Sequence, residues 1–160
     1  RADTLEALNH CNKANISIRP SLLSFTPWTS AEDYLVLIDF IEDNELIDHV
    51  DPIQLAIRLL VPPGADMLNS GAMQPHLGEY DPENFIHRWR HPDPRMDHLH
   101  GEVLAIAEDA ATQEEDAALT FGRIRAAAVQ TLERPDRDRP APALPPDRLK
   151  PPRLTESWFC

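Results

Sequence analysis

The sequence has little cysteine, few aromatic residues and too few cations to balance its acids. Two cysteines, Cys11 and Cys160, in 160 residues exclude the disulfide framework of small secreted proteins, so we expect a reducing, cytoplasmic setting. Aromatic residues make up 6% of the chain and the formal net charge is −12. This excess of acids argues against a phosphate-binding face spread over the protein, and we expect no nucleic-acid partner.

Long apolar runs are also absent. None approaches the roughly 20 residues that a membrane-spanning helix needs, so we expect no membrane partner. The chain begins Arg-Ala-Asp, with neither methionine nor a signal-peptide pattern, and we interpret it as a fragment of a longer polypeptide. Hydrophobic residues make up 42% of the chain, which is enough for a core in a chain of single-domain length.

The stretch 15–64 has the pattern strand, helix, strand. Residues 15–25 are rich in β-forming residues with partly alternating apolar positions. Ser30 then stands where a helix N-cap is expected. The apolar face of that helix is Tyr34, Leu37, Ile38 and Ile41. The apolar run at 53–61 predicts a second, buried strand. Two strands joined by one helix predict a βαβ crossover in an α/β fold.

The segments on either side of this unit predict helix and loop. Residues 1–13 have the composition of a helix that ends near Lys13. Residues 65–95 are punctuated by glycine and proline and predict mostly loop, with a short helix near Met67. Asp81-Pro82 predicts a further helical turn, because it places an N-cap before a proline at the first helical position.

Two longer helices are predicted in the second half of the chain. Apolar residues recur at helical spacing from Pro94 to about Thr112, and again from about Glu114 to Glu133. The two helices are expected to form an antiparallel pair that covers the sheet or its open edge.

The last segment, residues 134–160, differs in composition from the rest. It holds seven of the sixteen prolines and no glycine, and its six Lys/Arg outnumber its four Asp/Glu. This predicts a stiff, extended arm with polyproline II character. A basic arm on an acidic body either lies back across that body or stays mobile, and the sequence leaves both alternatives open.

Two parts of the sequence resemble a known family. Residues 15–29, Asn-Ile-Ser-Ile-Arg-Pro-Ser-Leu-Leu-Ser-Phe-Thr-Pro-Trp-Thr, and residues 57–64, Ile-Arg-Leu-Leu-Val-Pro-Pro-Gly, resemble the later strands of a radical SAM (S-adenosylmethionine) enzyme core. Residues 154–160, Leu-Thr-Glu-Ser-Trp-Phe-Cys, resemble the end of the CUAEP/CCAEP-tail radical SAM group. In that group Trp-Phe-Cys is followed by selenocysteine or cysteine and then Ala-Glu-Pro. The tail is the more specific match.

The resemblance implies the C-terminal part of a partial (β/α) TIM-like barrel, with an appended helical pair and an extended proline-rich tail. Residues 1–66 would hold the last strands and helices of the barrel, 67–133 a loop and the helical pair, and 134–160 the tail. It also implies that Cys160 is the first member of a Cys-Sec or Cys-Cys pair. A selenocysteine codon, UGA, read as a stop would end the chain there.

The resemblance further implies two cofactors, SAM and a 4Fe-4S cluster, in the intact protein. The family holds its cluster through a Cys-x-x-x-Cys-x-x-Cys loop near the first strand, and three thiolates leave one iron open for SAM. This chain has no such loop, and its two cysteines are 149 positions apart. We therefore expect the fragment alone to hold no cofactor and no metal. Its expected partners are the missing N-terminal part of the same polypeptide and an unknown substrate.

Polar residues in the predicted strands are the candidate cofactor-binding residues. Arg19 and Arg58 lie inside apolar segments, where a charge needs a partner. One of them, Arg19 first, is predicted to reach the SAM carboxylate or a substrate acid; the alternatives are a salt bridge or an exposed edge position. Ser21 and Trp28 follow toward the end of the strand, where parallel α/β folds place ligands. A tryptophan there can instead simply pack against the next helix.

Cys160 is the candidate catalytic residue. A thiolate or selenolate pair on a flexible arm suits redox exchange, metal capture or a covalent hold on substrate, and the alternative is a terminal thiol with no role. Cys11 is predicted to be an ordinary, partly buried thiol. A metal site is suggested by four histidines and two aspartates in one segment, which are His87, His91, Asp93, Asp97, His98 and His100. Prolines interrupt them and their spacing matches no metal motif, so a solvated polar segment is the prediction.

These features favour the interpretation that this chain is the C-terminal portion of a radical SAM enzyme. The sequence does not assign an enzymatic activity to this portion by itself. The alternative is a non-catalytic, acidic α/β interaction module whose proline-rich arm docks into a partner groove through residues 140–142 and 144–146. Arg19 facing an open polar pocket favours the enzyme fragment, whereas Arg19 paired with a local carboxylate in a closed sheet favours the module. A third alternative, an autonomous redox protein using Cys160, lacks a resolving cysteine.

Overall fold

The computed structural model describes residues 2–137, 139–140, 142–148 and 150–151. Its helices and strands are α1 (Ala2–Lys13), α2 (Ala31–Asp43), β1 (Leu77–Asp81), β2 (Ile86–Trp89), α3 (Pro94–Thr112) and α4 (Ala117–Thr131). Within the described residues, 3-10 helices lie between α2 and β1 at Ile47–His49, Pro52–Ala56, Asp66–Asn69 and Gln74–His76, and after α4 at Pro135–Arg137. The predicted α/β class is confirmed as a mixed, mostly helical fold.

Helix α2 is the centre of the main core. A reciprocal capping box starts it: the Asp33 amide donates to Ser30 Oγ at 3.1 Å, and the Ser30 amide donates to Asp33 Oδ2 at 3.0 Å. Its inward face is fully buried and consists of Tyr34, Leu35, Ile38 and Ile41. Each such side chain stabilises the fold by about 1.5–3 kcal/mol relative to an exposed position. The predicted helix is therefore confirmed, and so are three of the four residues predicted for its apolar face. The fourth, Leu37, is only partly buried, and Leu35 is fully buried instead.

The two predicted strands flanking α2 are only partly formed. Residues 15–25 are extended but pair at one position, where Phe25 forms a parallel bridge with Arg58. The predicted strand over 53–61 is wrong in its first half, which is the 3-10 helix Pro52–Ala56. Proline fixes φ near a helical value and Asp51 occupies the N-cap position, so the chain turns before it extends at residue 57. The βαβ pattern thus survives as one bridge, and no larger parallel sheet occurs among the described residues.

A β-hairpin replaces the helical turn predicted after Asp81-Pro82. Strands β1 and β2 are antiparallel, and their register places Leu77 opposite Trp89 and Tyr80 opposite His87. The His87 amide donates to the Val61 carbonyl at 2.7 Å, which ties β2 to the segment after the parallel bridge. The prediction was wrong because an Asp-Pro pair can also start a β-turn. Here the strand before the pair, β1, forms hydrogen bonds with β2, which follows only a few residues later.

Helices α3 and α4 pack against each other, as the sequence predicts. Asp93 and Asp116 cap them, each accepting a hydrogen bond from a first-turn amide. Their buried faces join α2 in one core and include Met96, Leu99, Val103, Phe121 and Ile124. The short helix near Met67 is confirmed as a 3-10 turn, and α1 matches the helix predicted at the start. Nowhere in the described part of the chain is there a helix with the length and apolarity needed to cross a membrane.

The described part of the arm lies back across the body, which settles the alternative left open by the sequence. Arg137 and Arg139 pair with acids of α2. Arg148 and Lys150 bind Asp116 at the start of α4, at 3.0 and 2.8 Å. Leu144 packs against the main core. These four cations of the described part of the arm are therefore neutralised by acids of the body.

Candidate functional site

The predicted cofactor-binding residues occupy separate environments. The Arg19 guanidinium forms an ion pair with Asp51, so the salt-bridge alternative describes its local contact. Ser21 is exposed, and Trp28 is 50% exposed with its ring edge-on to His76 at 6.4 Å between centroids. Their role toward SAM stays a prediction. Cys160, the predicted catalytic residue, lies outside the described residues.

Other polar residues of these segments have structural partners. The Leu22 amide donates to Gln54 Oε1 at 3.3 Å, and Ser24 Oγ donates to the Gln54 carbonyl at 2.9 Å. Tyr34 Oη donates to the Leu55 carbonyl at 3.0 Å. These bonds tie the extended segment and α2 to the 3-10 helix Pro52–Ala56. They satisfy polar groups in the interior, and the groups that form them are not available to a ligand.

A cleft of about 450 Å³ opens beside the parallel bridge, between the hairpin and the start of α3. We name it the Arg58 cleft. Its charged walls are Arg58, Asp81, Arg88, Arg90 and Asp97, and Leu60 and Ile86 form apolar parts of its lining. This volume lies within the range of about 300–1,000 Å³ that small-molecule pockets occupy.

Arg58 is held rigidly at one side of this cleft. Its guanidinium carbon lies 3.7 Å from the centroid of the Trp89 ring. Nη2 donates to the Trp89 carbonyl at 2.9 Å and contacts Asp97 Oδ1 at 2.7 Å. Trp89 is itself fixed, because its indole Nε1 donates to the Leu59 carbonyl at 2.8 Å. A stacked and hydrogen-bonded guanidinium loses little conformational freedom when a further ligand binds.

Asp81 shapes the opposite side of the cleft. Its carboxylate accepts hydrogen bonds from the Glu83 and Asn84 amides, from Asn84 Nδ2 and from Arg88. Bonds from Asn84 and Arg88 lower the pKa of Asp81 to about 2. The group is therefore ionised at neutral pH and fully engaged, which suits a structural anchor of the turn rather than a proton-transfer role.

The four histidines do not converge. His87 contacts Tyr80, with ring centroids 5.1 Å apart, and His91 Nδ1 accepts a hydrogen bond from the Asp93 amide at 2.9 Å. His98 is exposed on α3. Burial, and then the charge of Arg58, lower the pKa of His100, so its ring is neutral at pH 7. In the part of the chain that the structure describes, no three His, Cys, Asp or Glu side chains are arranged to hold a metal ion.

A second polar cluster lies between α2 and α4. The Arg125 side chain is 1% exposed and pairs with Asp39, while its Nη1 lies 3.1 Å from Glu42 Oε2. Arg137 binds Asp39 from the arm at 2.7 Å. Burial alone would raise the pKa of Asp39, but Arg125 and Arg137 lower it. With its acids already matched by cations, this cluster is a structural ion network.

The sequence singled out Arg58, and Asp97 only as part of the histidine-rich segment, but it did not predict that the two lie together in a cleft. Arg88, Trp89, Arg90 and Asp97 form the cleft only because the hairpin folds against residues 58–61. The run Arg-Trp-Arg at 88–90 could have indicated a cationic site. Side chains alternate between the two faces of a strand, so this run places both arginines on one face. None of Arg19, Ser21 and Trp28 lines the cleft.

No protein-family model matches the chain, and neither the curated proteins nor the solved structures contain one that is significantly similar to it.

Proposed function

We propose that this chain is the C-terminal part of a radical SAM enzyme of the CUAEP/CCAEP-tail group, contributing the last part of a partial (β/α) TIM-like barrel. The intact enzyme would use SAM and a 4Fe-4S cluster to act on an unknown substrate. The basis is the resemblance of residues 15–29, 57–64 and 154–160, and the structural observation that supports it most is the bridge across α2.

That bridge is parallel. The Phe25 amide donates to the Ile57 carbonyl at 2.9 Å, and the Leu59 amide donates to the Phe25 carbonyl at 2.8 Å. Helix α2 connects the two bridged segments. A strand, a crossover helix and a parallel strand form the repeating unit of (β/α) barrels. The bridge lies within the two stretches that resemble the family.

Exposed apolar side chains on these segments also support the proposal. Ile16 and Leu23 are 58% and 50% exposed, although both lie in the first predicted strand region. An incomplete sheet leaves such residues without neighbours. In the proposed enzyme, strands from the preceding part of the polypeptide cover them and complete the pairing that is limited here to one bridge.

The residues present do not fit the cluster itself. Cys11 is a partly buried free thiol in α1, and the two cysteines of the sequence are fewer than the three that the family's cluster needs. We therefore assign the cluster ligands to the preceding part of the polypeptide, and we assign no step of the cluster chemistry to residues of this chain. Arg19, Ser21 and Trp28 stay the candidates for contacts with SAM, and Cys160 stays the candidate for a thiol or selenol step.

The second candidate function is the non-catalytic interaction module. The ion pair between Arg19 and Asp51 favours it, since it gives Arg19 a local partner. Within the arm, however, Arg137 and Arg148 are bound to the body. A partner groove would have to compete with those ion pairs to take the proline-rich segment.

The test is expression of the whole reading frame that contains this chain. After anaerobic reconstitution with iron and sulfide, and addition of SAM and dithionite, the long polypeptide is expected to form 5′-deoxyadenosine, detected by liquid chromatography. The 160-residue chain treated in the same way is the control and should form none. A long polypeptide that binds no cluster and cleaves no SAM would remove the enzyme proposal and leave the interaction module.

A further inference from the structure

We propose that the Arg58 cleft binds a small organic monocarboxylate with an apolar body. This goes beyond the proposed function and does not depend on it, because the binding residues all belong to the described part of this chain. The inference rests on three features of the cleft, which are its charge balance, the free donors of Arg58 and the apolar wall beside them.

The charge balance leaves one positive charge unmatched. Arg88 is bound to Asp81, with Nη2 2.7 Å from Oδ2, and Arg58 is paired with Asp97. Arg90 is exposed and lines the same cleft. Among the residues that the structure describes, no carboxylate lies within ion-pair distance of its guanidinium. A protein of net charge −12 therefore presents a local excess of one cation here, which matches a single negative charge on a ligand.

Arg58 supplies the geometry for a carboxylate. Both of its polar contacts use Nη2, and within the described chain neither Nη1 nor Nε has a hydrogen-bond partner. A guanidinium binds a carboxylate through two parallel N–H donors in one plane. The Trp89 ring beneath the guanidinium, at 3.7 Å, fixes that plane. The side chain is 24% exposed, so the remaining donors can be reached and are partly shielded from water.

The apolar wall selects against bare inorganic anions. Leu60, 67% exposed, and Ile86 line the cleft beside the arginines. Covering such surface contributes about 25 cal/mol for each Å² removed from water. A carboxylate that carries a hydrocarbon or aryl body gains this contribution, whereas phosphate does not. The cleft therefore fits an amphipathic monoanion best.

Binding is tested with 4-phenylbutyrate as the probe, followed by the Arg side-chain and Trp indole resonances in two-dimensional NMR of the 160-residue chain. The matched controls are 4-phenyl-1-butanol, which has the same body without the charge, and inorganic phosphate. We expect the acid to bind at least about tenfold more tightly than either control, since a charge-assisted, bidentate pair and apolar burial act together only in the acid. The largest shifts should fall on Trp89 and Arg58.

Two variants assign the binding to the cleft. Arg90→Gln changes an exposed side chain, so its fold should persist, and Arg58→Lys keeps the charge but removes the planar fork. Each variant is expected to weaken the binding of 4-phenylbutyrate about fivefold or more. Arg95→Gln, which changes an exposed arginine outside the cleft, should leave the binding affinity unchanged. Equal binding of the alcohol or phosphate, unchanged binding in both cleft variants, or no shift up to the solubility limit of the acid would overturn the proposal. Because no cluster or SAM is present, these outcomes are independent of the radical SAM proposal.

Discussion

Arg148 of the arm and Asp116 at the start of α4 form a hydrogen-bonded ion pair, with Nη2 3.0 Å from Oδ1. The same guanidinium donates to Asp48 at 2.8 Å. Lys150 adds a second cation on Asp116, and these bonds lower the pKa of that carboxyl. One arginine side chain, 11% exposed, thus joins three segments that are far apart in the sequence.

Replacing Arg148 with Gln is expected to release the arm from α4. The variant should lose about 1 kcal/mol of unfolding free energy, because a charge-assisted hydrogen bond is lost at a partly screened site. Hydrogen exchange of residues 142–148 should become faster while α2 stays protected. Arg95→Gln is the matched control, since within the described chain the ion pair of that arginine is with Asp93, two residues earlier. Unchanged exchange in the Arg148 variant would mean that the arm is not held by this contact.

Removing the buried charge of Arg125 is expected to be more costly. Arg125→Met leaves Asp39 and Glu42 without their buried cation, and breaking a buried pair in this way costs about 3 kcal/mol or more. Urea denaturation measures the loss. Arg123→Met, two residues earlier on α4, is the control; its side chain is 39% exposed and should cost under about 1 kcal/mol. Similar losses for the two variants would contradict the assigned burial.

The hydroxyl of Tyr34 is expected to matter for stability alone. Tyr34→Phe leaves the buried Leu55 carbonyl without its donor and should lower the unfolding free energy by about 1–2 kcal/mol. Tyr80→Phe, at a 40% exposed position, should have no measurable effect. Thermal and urea unfolding of the two variants make the comparison. A neutral Tyr34→Phe would show that α2 does not depend on this bond.

The hairpin should respond to acid through Asp81. Its folded-state pKa of about 2 lies below the ordinary 3.8. The stabilisation is therefore complete above pH 4, and it is lost as the pH falls through about 2. The Asn84 amide resonance, followed by NMR, should titrate with a midpoint near pH 2. Asp81→Asn should weaken the turn at neutral pH and Glu79→Gln should not. A midpoint near pH 4 would mean that the carboxylate is not held by Asn84 and Arg88.

Local patterns predicted the helices of this fold better than its pairing. The face of α2 and the positions of α3 and α4 follow from apolar residues at helical spacing, since packing one face on a core requires that period whatever the partner is. The hairpin was missed because every residue of β1 between Leu77 and Asp81 is exposed. A strand without a buried face does not show the alternation of apolar and polar residues by which a strand is predicted.

The site was harder to predict than the fold. Arg58 was identified as a charge in an apolar segment, but its contacts with Trp89 and Asp97 join residues about 30 positions or more apart. Contacts at that separation depend on how the hairpin docks, which no local pattern specifies. Arg19 illustrates the converse. Its charge was also noticed, but its contact is an ordinary ion pair with Asp51.

The most direct test of the radical SAM proposal is the nucleotide sequence on both sides of this reading frame. The proposal predicts a UGA or cysteine codon directly after the Cys160 codon, then codons for Ala-Glu-Pro, and an in-frame Cys-x-x-x-Cys-x-x-Cys segment upstream of Arg1. A start codon immediately before Arg1 and an ordinary stop after Cys160, with neither feature in frame, would contradict it and favour the interaction module.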